Sequence, residues 1–225
     1  MSARDQLIYR RDVVGFVWQN IGRNLIPYLT ALENVRLPMI LNGKYGDIKW
    51  AKELLEAVGL GDRIDHKPSE MSGGQQQRVA IAVGLANRPH ILLADEPTGS
   101  LDSKTSSEIL KVFRTVCERF GITVIVVTHD RSLSKAVDRV VEIRDGKIST
   151  ETVRTDLVQA SEEVKQLASA GQDYGSDTAT HAYYTVLDSA GRLQIPKEYL
   201  EELGISGRAG LEIVDGKIVI KPPEE

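Results

Sequence analysis

Short apolar segments alternate with helical ones through the first 130 residues, and this alternation constrains the fold most. The apolar segments are "VVGFVW" at 13–18, "HILLAD" at 90–95 and "ITVIVVT" at 122–128. Each is continuously apolar and short, as expected of a buried strand. Helical spacing of apolar residues covers about 30–41, 48–58, 72–87 and 103–120. Such alternation is typical of a parallel sheet covered by helices on both faces, so we predict an α/β fold.

Polar side chains follow each of these strands, where ligands of open parallel sheets bind. Asp95 and Glu96 end the second strand, His129 follows the third, and Gln19 follows the first. A carboxylate at Asp95 suits Mg²⁺, with the Gln19 amide oxygen reaching the metal or a water. Glu96 is placed to orient or deprotonate a water that attacks a γ-phosphate, and His129 to hydrogen-bond that phosphate. A lone Asp-Glu pair would more often mark only the place where a strand meets solvent. Here the other motifs in the same order and spacing favour a functional site.

The stretch "MSGGQQQRVA" at 71–80 adds an anion-binding feature. Ser72 is a good N-cap, and helical spacing of apolar residues follows it. The adjacent glycines, Gly73 and Gly74, allow close backbone approach and leave amide N–H groups accessible. A helix start of this kind attracts a phosphate.

Together these motifs resemble the ATPase subunit of an ABC transporter, over about residues 10–150. The resemblance implies ATP and Mg²⁺ as ligands and the following site residues: Gln19 as the Q-loop, Ser72, Gly73, Gly74 and Gln75 as the signature, Asp95 and Glu96 as the Walker B pair, Asp102 as the D-loop acid and His129 as the switch histidine. Glu96 and His129 would be catalytic, Gln19 and Asp95 would bind the metal, and the others would bind nucleotide.

The resemblance also implies partners. In this family two ATPase subunits pack head to tail, so the signature would cap a nucleotide held by the second subunit. The stretches "LTALENVRLPM", "DEPTGSLD" and "RDGKI" look most like the lipoprotein-release and macrolide-export branch, whose membrane permeases are FtsX-like. A single cysteine, the lack of a signal-peptide pattern and apolar runs too short for a bilayer point to the cytoplasm. The resemblance implies a peripheral position at the inner face of the cell membrane.

One motif of the family is missing from the sequence. No segment matches the phosphate loop G-x-x-x-x-G-K-[ST], whose backbone amides and lysine cradle the nucleotide. Either the chain is the C-terminal part of a longer protein, or it is a product without its own nucleotide cradle. In both cases we expect no appreciable hydrolysis of ATP by this polypeptide alone.

The composition changes after residue 150. Residues 151–180 are polar and acidic, with one plausible helix at 155–169, and are interpreted as a linker. Residues 181–225 predict strands, a short helix and a hairpin through Asp215-Gly216. They resemble an AbrB/MazE-like swapped-hairpin domain, through Asp188, Gly191, Arg192, Ile195, Pro196, Lys197, Leu203 and Gly204.

Two functions from different classes therefore stay open. The first is the ATP-hydrolysing motor of a transporter, with domains at 1–150 and 181–225 and the tail pairing two subunits. The alternative is a non-hydrolysing regulatory or DNA-binding protein that uses the swapped hairpin. Residues 181–225 carry eight acidic and five basic side chains, which disfavours phosphate contacts with DNA.

Overall fold

The computed structural model describes residues 2–43, 47–144, 146–154, 181–185, 193, 195 and 197–222. The chain divides into two compact units, Met1–Arg131 and Ser132–Glu225, each described here by itself. The predicted domain ends at residues 150 and 180 differ from this division and stay a prediction. Within the part of the chain that the structure describes, no helix has both the length and the apolar character needed to cross a bilayer.

The first unit alternates helices and strands as the sequence predicts. Its elements are α1 (Ala3–Ile8), β1 (Val14–Val17), α2 (Ala31–Leu41), α3 (Ile48–Ala57), α4 (Gly73–Leu85), β2 (Ile91–Asp95), α5 (Ser103–Phe120) and β3 (Thr123–Val127). Short helical segments lie at Tyr9–Val13, Ile21–Arg23 and Pro68–Glu70. Another, Arg131–Ala136, begins at the last residue of this unit. The predicted helices and strands of this region are all present, with ends that differ by a few residues.

The three strands form a parallel sheet in the order β1-β2-β3. Val17 pairs with Ala94 on β2, and Asp95 pairs with Val127 on β3. The carboxyl ends of all three strands therefore meet at one edge, and the prediction of an α/β fold is confirmed. This register brings the residues after Val17, Ala94 and Val127 together at the edge where the sequence predicts the site.

The sheet is packed unequally on its two faces. Side chains of Val17, Leu92 and Ala94 are fully or almost fully buried in a core shared with α4 and α5. On the opposite face Phe16, Ile125 and Val127 are 41, 45 and 60 % exposed. The prediction of a sheet covered on both faces is therefore wrong for the described residues, because α4 and α5 pack on the same face.

Helix α4 and strand β1 approach each other at two glycines. A Cβ atom placed on Gly15 would lie 2.1 Å from the carbonyl oxygen of Gly84. A Cβ on Gly84 would lie 2.8 Å from Leu92 Cδ1 and 3.2 Å from the Phe16 carbonyl oxygen. Only glycine fits such a close approach of two backbones, so this pair sets the distance between the signature helix and the sheet.

The second unit is rich in strands. Strands β4 (Arg139–Arg144), β5 (Lys147–Arg154) and β6 (His181–Thr185) form an antiparallel sheet, followed by α6 (Lys197–Glu202) and the hairpin β7 (Gly210–Val214) and β8 (Lys217–Lys221). The predicted hairpin through Asp215-Gly216 is present as β7–β8. Strand β5 pairs with both β4 and β6 and is the central strand of its sheet.

Strand β5 also extends to Arg154, so the first residues of the predicted linker belong to a sheet. The predicted helix at 155–169 and the rest of the linker lie outside the described residues. So do Asp188, Gly191, Arg192 and Pro196, which carry part of the resemblance to a swapped-hairpin domain. That domain therefore stays a prediction.

Candidate functional site

Glu96 and His129 come together where β2 and β3 end. The Glu96 backbone N–H donates to the carbonyl oxygen of Val127 at 2.8 Å, which continues the ladder one residue beyond β2. Glu96 itself has φ of 43°, a left-handed conformation that is uncommon for a residue with a side chain. This turn directs the carboxylate toward the residues after β3. Glu96 thus makes the contact between the two strand ends.

The Glu96 carboxylate is held by three donors. Its Oε1 accepts the His129 backbone N–H at 2.9 Å and lies 2.6 Å from His129 Nδ1, while its Oε2 accepts the Thr128 hydroxyl at 3.0 Å. Burial raises the pKa of Glu96, but the hydrogen bonds from His129 and Thr128 outweigh it and hold the pKa below its usual range. Glu96 is therefore ionised at neutral pH, and His129 Nδ1 carries the proton between them.

The two side chains differ in their access to solvent. The Glu96 side chain is 16 % exposed, whereas the His129 side chain is 85 % exposed. Oε1 accepts two donors and Oε2 accepts one, so Oε2 keeps an acceptor position for a water molecule. The pair thus presents an oriented carboxylate behind an accessible imidazole.

Asp95 and Gln19 lie at the same sheet edge. Asp95 is the last residue of β2, and Gln19 lies two residues beyond the end of β1 and is exposed. The described residues contain no group of three or more His, Cys, Asp or Glu side chains that could hold a metal. One carboxylate and one amide oxygen nevertheless suit Mg²⁺, which keeps several waters and takes its other ligands from substrate phosphates.

The signature residues form the capped start of α4. The Ser72 hydroxyl accepts the Gln75 N–H at 3.3 Å, and the Gln75 side-chain oxygen accepts the Ser72 N–H at 2.9 Å. This capping box leaves the N–H groups of Gly73 and Gly74 without intrahelical acceptors. Ser72 and Gly73 are exposed, but Gly74 is buried. The predicted capped helix start is present, with Gly74 buried beneath it, and its binding of an anion stays a prediction.

Asp102 caps the neighbouring helix α5. Its Oδ1 accepts the Thr105 N–H at 2.9 Å and its Oδ2 accepts the Thr105 hydroxyl at 2.6 Å. The hydrogen bonds from the Thr105 side chain and backbone lower the pKa of Asp102. Since a Cβ on Gly74 would lie 2.5 Å from Thr105 Cγ2, the starts of α4 and α5 touch. Thr105 therefore links the start of α4 to Asp102.

The sequence reasoning missed two residues of the site, Thr105 and Thr128. Thr105 lies three residues after Asp102 and Thr128 directly precedes His129, and each donates its hydroxyl to a predicted carboxylate. The Asp102-x-x-Thr105 spacing is that of a helix N-cap and its N3 residue, which is a usable signal. Thr128 has no such local signal, because its partner Glu96 follows another strand and lies far away in the sequence.

Replacing Gly74 with alanine is expected to lower the free energy of unfolding by about 1–3 kcal/mol, because the new Cβ would overlap Thr105 Cγ2. The double variant Gly74→Ala/Thr105→Ser removes that methyl group but keeps the hydroxyl, and should recover most of the loss. Gly73→Ala is the matched control, since its Cβ would meet Leu101 Cδ2 at an ordinary 3.6 Å. Urea unfolding of the three variants checks this; equal effects of Gly73→Ala and Gly74→Ala would contradict the packing role of Gly74.

Comparison with known proteins agrees with these motifs. A family model described as ABC transporter matches residues 2–99. The chain is 45 % identical over 156 residues to the lipoprotein-releasing system ATP-binding protein LolD 2 of Caulobacter vibrioides, covering 68 % of this chain and 67 % of the relative. It is 50 % identical over 145 residues to the macrolide export ATP-binding/permease protein MacB of Rhodopirellula baltica, covering 63 % of this chain and 21 % of the relative.

A solved structure is similar as well. It is the dimeric structure of a post-hydrolysis state of an ATP-binding cassette bound to ADP and phosphate, with a TM-score of 0.55, 45 % identity and 67 % of each chain covered. The chain spans no more than about two thirds of the length of the curated relatives it matches.

Proposed function

This chain belongs to the family of ABC transporter ATP-binding proteins, and on that basis we propose that it is the ATPase subunit of a transporter. The observation that carries the proposal most directly is the contact between Glu96 and His129 at the carboxyl edge of the parallel sheet. These two residues follow different strands and are 33 positions apart in the sequence, and they orient each other at the edge where nucleotides bind in such folds.

Glu96 would act mainly by orienting the attacking water. A lowered pKa makes the carboxylate a weak base, but phosphoryl transfer passes through a loose transition state that demands positioning more than proton abstraction. The remaining acceptor position on Oε2 can receive the water's O–H. His129, being exposed, can reach a γ-phosphate from the solvent side. Mg²⁺, held by Asp95 and Gln19 with the nucleotide's own oxygens, would neutralise phosphate charge.

The described residues act on a γ-phosphate but do not cradle the rest of a nucleotide. The sequence contains no phosphate loop, so the signature at Ser72, Gly73, Gly74 and Gln75 would serve a nucleotide held by a second subunit. Ser72 and Gly73 are exposed and can face such a partner. ATP, Mg²⁺ and a second ABC ATPase subunit are thus the ligands and partner that we propose.

A hydrolysis assay tests the proposal that this polypeptide needs a second subunit to hydrolyse ATP. We expect the polypeptide alone to turn over Mg-ATP no faster than the buffer blank, because no backbone cradle positions the γ-phosphate against Glu96. Glu96→Gln serves as the control, since it keeps the size of the side chain and removes its charge. Robust turnover that Glu96→Gln abolishes would contradict the expectation.

We propose an FtsX-like membrane permease as the other partner and the cytoplasmic face of the membrane as the site of action. The relatives named above include a lipoprotein-releasing ATP-binding protein and a macrolide export ATP-binding/permease protein. These names support the assignment of the chain to the lipoprotein-release and macrolide-export branch of the family. Co-purification of the chain with a permease from detergent-solubilised membranes tests this partner. Recovery of the chain only in the soluble fraction, under conditions that retain other transporter subunits, would count against it.

For the tail we propose pairing with a second copy through a swapped hairpin. In β7–β8 the side chains of Leu211, Ile213 and Ile218 are 71, 79 and 70 % exposed and share one face. An isolated two-stranded hairpin is marginally stable, which favours a partner for this face. DNA binding is the alternative; salt-dependent binding of duplex DNA by the full chain would favour it.

A further inference from the structure

We propose that Thr128 is a positioning residue that fixes the Glu96 carboxylate independently of His129. The inference rests on the proposed function, because it concerns the same site and the same carboxylate. Thr128 donates its hydroxyl to Glu96 Oε2 at 3.0 Å, so one carboxylate oxygen is held by threonine and the other by His129. No motif named above includes Thr128.

The direction of the Thr128 hydroxyl is set by a second hydrogen bond. The Asp130 backbone N–H donates to Thr128 Oγ1 at 3.1 Å, which occupies one acceptor position of the hydroxyl. Its only proton is then committed to Glu96, since an ionised carboxylate can only accept. Two consecutive hydrogen bonds, from the Asp130 N–H to Thr128 Oγ1 and from the Thr128 hydroxyl to Glu96 Oε2, therefore connect the carboxylate to the backbone that follows β3.

Thr128 and His129 differ in how easily each bond can be exchanged. Thr128 is half-buried and directly follows β3, whereas the His129 side chain is 85 % exposed. If His129 turns toward a phosphate, Oε1 keeps the His129 backbone N–H and Oε2 keeps Thr128. The Thr128 hydroxyl thus makes the permanent hydrogen bond to the Glu96 carboxylate, and the His129 imidazole makes the exchangeable one. Glu96 would stay oriented throughout a catalytic cycle.

The test uses the full chain without nucleotide, with glutamate labelled by ¹³C at the side-chain carboxyl, at one fixed neutral pH. The Glu96 resonance is the one missing from the Glu96→Gln spectrum. We expect Thr128→Val, which keeps the shape but loses the hydroxyl, to displace this resonance by more than its line width. Thr128→Ser should return it to the wild-type position. Thr115→Val is the matched control, because its hydroxyl bonds only the Lys111 carbonyl and should leave the resonance in place.

Thermal unfolding of each variant accompanies the spectra. If Thr128→Val does not fold, Thr128→Ala replaces it with the same expectation. A Glu96 resonance that stays in place in the folded variant, or that Thr128→Ser fails to restore, overturns the proposal. Because no nucleotide is present, this result is independent of the hydrolysis assay. A chain that does not serve ATP hydrolysis can still show the displaced Glu96 resonance, and a chain that does serve it can fail to show that displacement.

Discussion

Replacing Gly15 with alanine is expected to cause the largest loss of stability of any single methyl addition in the first unit. The new Cβ would lie 2.1 Å from the Gly84 carbonyl oxygen, and a backbone atom cannot move aside as a side chain does. Helix α4 would have to shift away from β1 and open the core around Val17 and Leu92. We expect the free energy of unfolding to fall by about 3 kcal/mol or more, measured by urea denaturation.

Gly61→Ala is the matched control for this variant. Its Cβ would lie 3.1 Å from Glu56 Cγ, which belongs to an exposed and flexible side chain. The control should therefore change stability by no more than about 0.5 kcal/mol. A Gly15→Ala variant as stable as Gly61→Ala would show that α4 and β1 are not in the close contact described above.

Ser72→Asp is expected to abolish nucleotide-dependent pairing with an intact ABC ATPase subunit. Aspartate caps a helix as well as serine does, so the start of α4 should persist. Its charge would face the phosphate that the signature is proposed to meet, and like charges brought together in an interface cost several kcal/mol. We expect the affinity for the ATP-loaded partner to fall at least about 100-fold, which corresponds to about 2.7 kcal/mol.

Ser72→Asn separates charge from capping, because asparagine also caps but carries no charge. It should retain most of the pairing, and circular dichroism should show equal helix content in both variants. If Ser72→Asp still pairs with the partner, or if both variants lose pairing equally, the proposal that the signature lies in the interface is contradicted.

The helix and strand pattern of the first unit was predictable from local rules. Ser72 and Asp102 precede helices as caps, and the apolar runs ending at Asp95 and Val127 form the strands. The site followed from the same information, because parallel strands place their carboxyl ends at one edge. Gln19, Asp95 and His129 were all placed at this edge by that rule.

Long-range details were not predictable. The bond from Thr128 to Glu96 joins residues 32 positions apart, and the contact of Gly74 with Thr105 depends on how two helices pack. Neither leaves a periodic signal in the sequence. The pairing of β5 with β6 was missed for a similar reason, since composition suggested a linker where β5 in fact continues to Arg154.

Pairing with an intact cassette is the most direct test of the central proposal. According to that proposal, the signature of this chain binds a nucleotide that another subunit holds. The chain would be mixed with the ATP-binding cassette whose ADP- and phosphate-bound dimer it resembles at 45 % identity, and complexes would be counted by native mass spectrometry. We predict a one-to-one complex that forms with ATP and is lost without nucleotide. A complex that forms equally without nucleotide, or no complex at any ATP concentration that supports the cassette's own dimer, would contradict the claim.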